Sequence, residues 1–255
     1  GDYPFMDMLY KEWVRQRIGE GPWMNRGRGG KLKDVTLYAR EHSLIEAMRD
    51  PLLDPLAREI YTQQKAQELL DLMCVQAPRD SLWDFFENFY KRYSGEVPVE
   101  IFLGELRDSL GVTVEDYVGW LNSRSQNVYR VKDMDIVKVQ DLGRGKAYGE
   151  FKIQHCGTRR GVVAVSTDNP FTWGKQDREV YSLEPGKCYQ VRFPLGQRGY
   201  RFALSTGVSR NIPTEMYVDL EREARNLMVP AWGRDTCCGV FEIAGSLFDR
   251  DDDRV

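Results

Sequence analysis

The chain has 255 residues, is 42% hydrophobic and 29% charged, and carries a formal net charge of -3. That profile is globular, with enough material for one large domain or two ordinary ones. It excludes a general nucleic-acid binder, which needs a basic stripe to displace counterions from phosphate. No apolar run is long enough to span a bilayer, and the first residues lack the basic-then-apolar pattern of a signal peptide. Gly1, standing where a methionine would, reads as a scar of tag removal. The cysteines Cys74, Cys156, Cys188, Cys237 and Cys238 are irregularly spaced and odd in number, so a disulfide framework is not expected.

In chain order, the first half has helical periodicity. Phe5, Met8, Leu9, Trp13 and Ile18 recur at helical spacing between Asp2 and Gly19. A glycine-rich loop follows (19–30), then a second periodic segment from Leu32 to Met48. Asp54 as N-cap and Pro55 at the first helical position open a strong helix, with Leu56, Ile60, Leu69, Leu70 and Met73 on its buried face. Asp80 or Ser81 caps the next helix, which has Trp83, Phe86, Phe89 and Tyr90 inward and closes at Ser94-Gly95. Pro98 opens another, with Ile101, Phe102, Leu106 and Leu110 inward and Gly111 as its stop. Thr113 and Asp116 resemble a capping box for a last helix that brings Tyr117, Trp120 and Leu121 to one side.

From Asn127 the period changes to two. Phe151 and Ile153 alternate with Lys152 and Gln154; Tyr189, Val191 and Phe193 alternate with Gln190 and Arg192. Tyr200, Phe202 and Leu204, then Met216, Val218 and Leu220, continue the pattern, and Val162 to Val165 is a continuous apolar run suited to a strand buried on both faces. Turn signals lie at Gly143-Arg144-Gly145, Asn169-Pro170, Glu184-Pro185-Gly186 and Gly196-Gln197. The expected architecture is α+β with two domains. An all-α helical bundle (1–125) precedes an antiparallel β-sandwich of seven or eight strands (126–222), and an irregular or extended C-terminal segment (223–255) ends in a frayed acidic tail.

Several of these stretches resemble, in pattern and order, the C-terminal part of M1-family (gluzincin) zinc aminopeptidases, where a thermolysin-like domain leads into a small β-sandwich. The stretch DPLLDPLAREIYTQQKAQELLDLM (50–73) is similar to the family's segment in which a Tyr-x-Lys-Gly signature heads a helix. FFENFYKRYSG (85–95) is similar to the helix that follows, TVEDYVGWLNSRSQNVYRVKDMDIVKV (113–139) to the last helix and first strands, and TEMYVDL (214–220) to the closing strand. The resemblance covers Asp2 to Leu220.

Two departures concern chemistry. The family's zinc is held by H-E-x-x-H, which sets two imidazoles on one helical face with a Glu between them as general base, and a further Glu as third ligand. This sequence contains only His42 and His155 and no such motif. His42 with Glu46, at i, i+4, reads as an ordinary contact rather than a ligand pair. The resemblance also implies a Tyr two residues before the signature Lys, whose hydroxyl stabilises the oxyanion. Aligning Lys65 with that Lys places Gln63 in the catalytic position and Ala66 at the Gly; the nearest phenol is Tyr61, rotated about 200° away along a helix.

The sequence therefore supports a piece of an M1-like metallopeptidase that lacks the zinc-binding helix and is inactive as this chain. The alternative is a catalytically degenerate relative that binds peptide or protein. Candidate site residues are Tyr61 and Gln63, and zinc is expected only if an H-E-x-x-H helix lies upstream in the parent protein. A peptide or protein substrate is the expected partner and nucleic acid is not; the resemblance leaves the compartment open, since the family includes exported, membrane-attached and cytosolic proteins. A third option is an unrelated interaction module, directed at glycans through Trp173 and Tyr181.

Overall fold

The computed structural model describes residues 5–17, 29–115, 117, 124, 127–139, 146–167, 177–194, 201–211, 215–219 and 240–242. Helices come first and strands second, an α+β arrangement. Among the described residues the helices are α1 (Phe5–Arg17), α2 (Gly29–Glu41), α3 (Leu44–Arg49), α4 (Pro55–Gln76), α5 (Arg79–Arg92) and α6 (Val99–Leu110). The strands are β1 (Tyr129–Val139), β2 (Lys146–His155), β3 (Gly161–Thr167), β4 (Asp177–Leu183), β5 (Cys188–Pro194), β6 (Arg201–Ser205), β7 (Glu215–Asp219) and β8 (Val240–Glu242).

The expected start of α4 is present: Asp54 accepts from the backbone N–H groups of Leu56 and Ala57, with Pro55 at the first turn. The expected stop of α6 is also present, Gly111 taking a left-handed φ of 68°, which costs a residue without Cβ nothing. Other boundaries differ. The periodic segment from Leu32 to Met48 is broken at Ser43, which forms a reciprocal capping box with Glu46 and starts α3. α5 begins at Arg79 behind Pro78, with no side-chain cap, so Asp80 lies in the first turn instead of capping it. Leu56 and Ile101, expected inward, stay substantially exposed; α6 instead buries Val99, Phe102 and Leu106.

The helices share one core. Leu9 and Trp13 of α1, Ile60, Leu69, Leu70 and Met73 of α4, Phe86 and Phe89 of α5, and Phe102 and Leu106 of α6 all belong to it. Aromatic rings dominate the α1–α5–α6 contact: Phe86 stacks on Tyr90 (centroids 6.2 Å apart) and meets Trp13 at 5.6 Å and Phe102 at 6.0 Å. Offset and edge contacts of this kind add to burial alone. The capping box expected at Thr113 falls partly outside the described residues, as do Trp120 and Leu121.

The strands form two four-stranded sheets, ordered β1-β2-β5-β8 and β4-β3-β6-β7. The alternation seen in the sequence sets their faces: Phe151, Ile153, Val191 and Phe193 from one sheet and Val163, Val165, Phe202 and Leu204 from the other share a second core. Phe202 stacks on Phe151 at 6.1 Å and meets Phe193 edge-on at 4.7 Å. The Val162–Val165 run is buried on both faces, as expected: Val163 and Val165 face the other sheet, while Val162 joins the helical core. One pairing departs from the antiparallel expectation. β8, in the C-terminal stretch expected to be irregular or extended, pairs with β5 in parallel through Cys188–Val240, Tyr189–Phe241 and Gln190–Glu242. A parallel neighbour needs a long crossover, and β6 and β7 both lie in sequence between β5 and β8. The turns expected at 143–145, 169–170 and 196–197, and the acidic tail, lie outside the described residues; the one at Glu184-Pro185-Gly186 is present, with Gly186 at φ 76°.

Candidate functional site

α4 runs between the other helices and the β4-β3 edge, and its residues are buried on several faces. Tyr61 points toward the α2–α3 junction, where its hydroxyl donates to the carbonyl of His42 at 3.1 Å. Burial raises its pKa far above the usual phenol value. Gln63 points elsewhere: its amide donates to Glu12 Oε2 on α1 at 3.3 Å. The two candidates are thus not brought together, as the helical rotation between them requires.

The histidines do not assemble a metal centre. His42 follows the end of α2, stacks on Tyr38 (centroids 4.2 Å apart), and precedes the cap residue Ser43. It therefore shares no helical face with Glu46, whose carboxylate instead accepts from the Ser43 backbone N–H at 2.6 Å. That bond, with its Ser43 side-chain counterpart, lowers the Glu46 pKa. His155 is fully buried in β2, its Nδ1 accepting from the Gly157 N–H at 2.9 Å. Its Nε2, the Asn127 amide and the Tyr129 hydroxyl converge on Gly161. Among the described residues no group of three His, Cys, Asp or Glu side chains is placed to hold a metal ion.

What α4 does build is a buried polar seam toward the strands, carried by residues that periodicity did not single out. Asp71 and Arg178 of β4 form a two-pronged ion pair, with Arg178 Nε donating to Oδ1 at 3.3 Å and its terminal nitrogen to Oδ2 at 2.5 Å. Only 7% and 10% of these side chains is exposed. Gln67 adds a donor to Asp71 Oδ1 at 2.8 Å. Glu12 is held by Arg15 at 2.8 Å as well as by Gln63. Burial raises the Glu12 pKa, against the opposing pull of Arg15, Gln63 and Arg178.

One turn before Asp71, Glu68 is buried and accepts from the Tyr117 hydroxyl at 2.5 Å. Lys65 is buried beside it, its ammonium 6.0 Å from the Tyr61 ring. Burial raises the Glu68 pKa and lowers that of Lys65, each group being driven toward its uncharged form while the other's charge resists. The spacing Lys65, Glu68, Asp71 at intervals of three was the available signal: it draws one polar stripe along a helix that is otherwise apolar on its inner faces.

A cleft of about 420 Å³ opens beside the seam, lined by Leu72, Gln76, Val114, Tyr117, Arg160 and Glu184 among others. Gln76 pins one wall, accepting from the Thr113 backbone N–H at 3.0 Å and donating to the Thr113 carbonyl at 3.1 Å. Arg160 and Glu184 pair across it at 3.2 Å. Tyr181, the described member of the aromatic pair considered for glycan stacking, is buried, with its hydroxyl donating to Glu179 at 2.6 Å. It has no open ring face, and Trp173 lies outside the described residues. Cys74 and Cys156 are free thiols; Cys237 and Cys238 lie outside the described residues. No described helix is long and apolar enough to cross a membrane.

No family model matches the sequence, and no curated protein matches it. Among solved structures, a β-glucosidase involved in saponin metabolism from intestinal bacteria is similar at a TM-score of 0.24 and 14% identity, over 37% of this chain and 16% of that one. β-Glucosidase 3B from Thermotoga neapolitana in complex with α-D-glucose is similar at 0.22 and 15% identity, over 37% and 16%. This chain thus spans about a sixth of their length, and likeness at these scores carries no argument about fold or activity.

Proposed function

We propose that this chain is the rear portion of an M1-type metallopeptidase, inert as a peptidase by itself because its sequence holds no H-E-x-x-H. In this reading α1 to α6 form a helical bundle that walls a peptide groove, and the two sheets form a β-sandwich that braces the wall. The observation that supports it most directly is the buried Asp71–Arg178 pair, which fastens the middle of α4 to β4 across 107 residues of sequence. A wall that must keep its shape against a bound peptide needs such a brace, since positions off by an ångström degrade binding and chemistry alike.

A second reading, a degenerate relative that binds peptide without cleaving it, is favoured by Gln63. The amide at the position of the family's catalytic phenol is engaged with the buried Glu12 carboxylate, and an amide donates a hydrogen bond without supplying a proton. The parent reading frame, expressed whole, separates the two by elemental analysis for zinc and an aminoacyl-arylamide assay. Stoichiometric zinc with turnover supports the first reading and sinks the second. Peptide binding without zinc or turnover supports the second. Turnover by the 255-residue chain alone overturns both.

A further inference from the structure

Glu68 is buried where three parts of the fold meet. On α4 itself it is flanked by Lys65 and Asp71, with Tyr61 within electrostatic reach. From β1 comes Tyr129, and from the turn after β6 the backbone of Gly207 approaches the carboxylate. Arg159, between β2 and β3, faces Lys65, and Arg178 of β4 neutralises Asp71. The group that bonds Glu68 directly is the Tyr117 hydroxyl, at 2.5 Å. Tyr117 also lines the cleft, together with Thr113, Val114 and Glu115 of the same segment. One side chain therefore reports to both the buried carboxylate and the open cleft.

We propose that the Glu68–Tyr117 hydrogen bond is a proton-sensitive latch: it holds the cleft-lining residues 113–115 and Tyr117, with Val112 before them, against α4 while Glu68 is ionised, and slackens when the carboxyl takes up a proton. A hydrogen bond to a carboxylate is roughly twice as strong as one between neutral groups, so protonation weakens it without breaking any other contact of the segment. Burial sets the direction of the working range, raising Glu68 above the usual glutamate value while Lys65 and Tyr117 oppose the rise. The linkage is reciprocal: an occupant of the cleft that draws Tyr117 away favours proton uptake by Glu68. The latch is independent of whether the parent protein is a peptidase, so its failure leaves the zinc and turnover assays untouched.

The test is ¹⁹F NMR of the full chain with 3-fluorotyrosine at position 117, combined with amide exchange of residues 112–115, from about pH 4 to about pH 8. The fluorine shift is expected to step at a pH above the usual glutamate value. Protection factors of 112–115, corrected for intrinsic exchange, are expected to fall about tenfold on the acid side, the size of the charge-assisted part of the bond. Glu68→Gln should remove the step. Tyr117→Phe, which leaves Glu68 facing Lys65, should hold 112–115 at the low-protection level at every pH. A pH-independent fluorine shift in the parent chain overturns the proposal, and so does an unchanged exchange step in Tyr117→Phe.

Discussion

Arg178→Met is the sharpest perturbation of the seam. The guanidinium makes both of its short contacts to Asp71, and the two side chains are 10% and 7% exposed. Methionine keeps the apolar stem and removes the charge, leaving the Asp71 side chain buried with Gln67 as its remaining bonded neighbour. Breaking a desolvated pair from one side typically costs about 3–5 kcal/mol, because the remaining charge is uncompensated. In a chain of this size that lowers Tm by roughly 6–20 °C. Arg178 also draws on Glu12, whose pKa is raised by burial, so the variant pushes Glu12 further in the same direction. A carboxyl with a raised folded pKa contributes stability below its unfolded pKa and loses it as pH rises through the folded value. The deficit of Arg178→Met is therefore larger at neutral pH than on the acid side, where Glu12 takes up a proton. Urea titrations of the parent chain, Arg178→Met, Asp71→Leu and the double variant, followed by near- and far-ultraviolet circular dichroism, measure both the loss and the coupling. The double variant should recover most of the loss, since an apolar pair of similar volume needs no desolvation. A loss of less than about 1 kcal/mol in Arg178→Met is the figure for an exposed pair, and would refute the claim that this one braces the fold.

Three further outcomes are expected. Gly161→Ala places a Cβ 1.8 Å from the Tyr129 hydroxyl and 3.0 Å from His155 Nε2; overpacking of that kind should cost about 1–3 kcal/mol by urea denaturation, with partial recovery when Tyr129→Phe removes the colliding oxygen. His155 has its pKa lowered chiefly by burial, so its contribution is present above the ordinary histidine value and lost as pH falls through the folded value; stability should decline on acidification by up to about 1.4 kcal/mol per pH unit, and His155→Gln should flatten that slope. Gly111→Ala forces a Cβ into the left-handed region at φ 68° and should cost about 1–2 kcal/mol by thermal melting with no change in the cleft contacts.

Local signals proved legible wherever the determinant is itself local. Asp54-Pro55 starts α4 and Gly111 stops α6 because capping and left-handed turns are decided within a few residues. Phe151, Ile153, Val191 and Phe193 are buried as their alternation requires, since strand geometry fixes facing residue by residue. The break at Ser43 was missed because the apolar rhythm from Leu32 to Met48 continues across it, and the capping box that divides the segment competes with that rhythm. Leu56 and Ile101 were placed inward by spacing alone, yet spacing names a face without naming what covers it. The parallel pairing of β8 joins it to a strand from which β6 and β7 separate it in sequence, a relation no short window of sequence contains.

The candidate site was legible in a more restricted sense. The resemblance points to Tyr61 and Gln63, and the helix does separate them, but the buried charged groups of α4 are Lys65, Glu68 and Asp71. A polar stripe at intervals of three on a helix is, by default, a solvated face. It became an interior one here because its partners arrive from far away in sequence: Arg178 for Asp71, Tyr117 for Glu68. An all-apolar seam of the same area would hold the helices to the sheets at least as strongly, since ion pairs rarely repay their full desolvation. What charges add is direction. An apolar face can slide by a turn at little cost, whereas a turn's displacement would strand Asp71, Glu68 and Arg178 without partners inside the protein. The seam is better understood as fixing one relative placement of α4 and β4, the property required of a wall beside a cleft and of a latch that answers to a single proton.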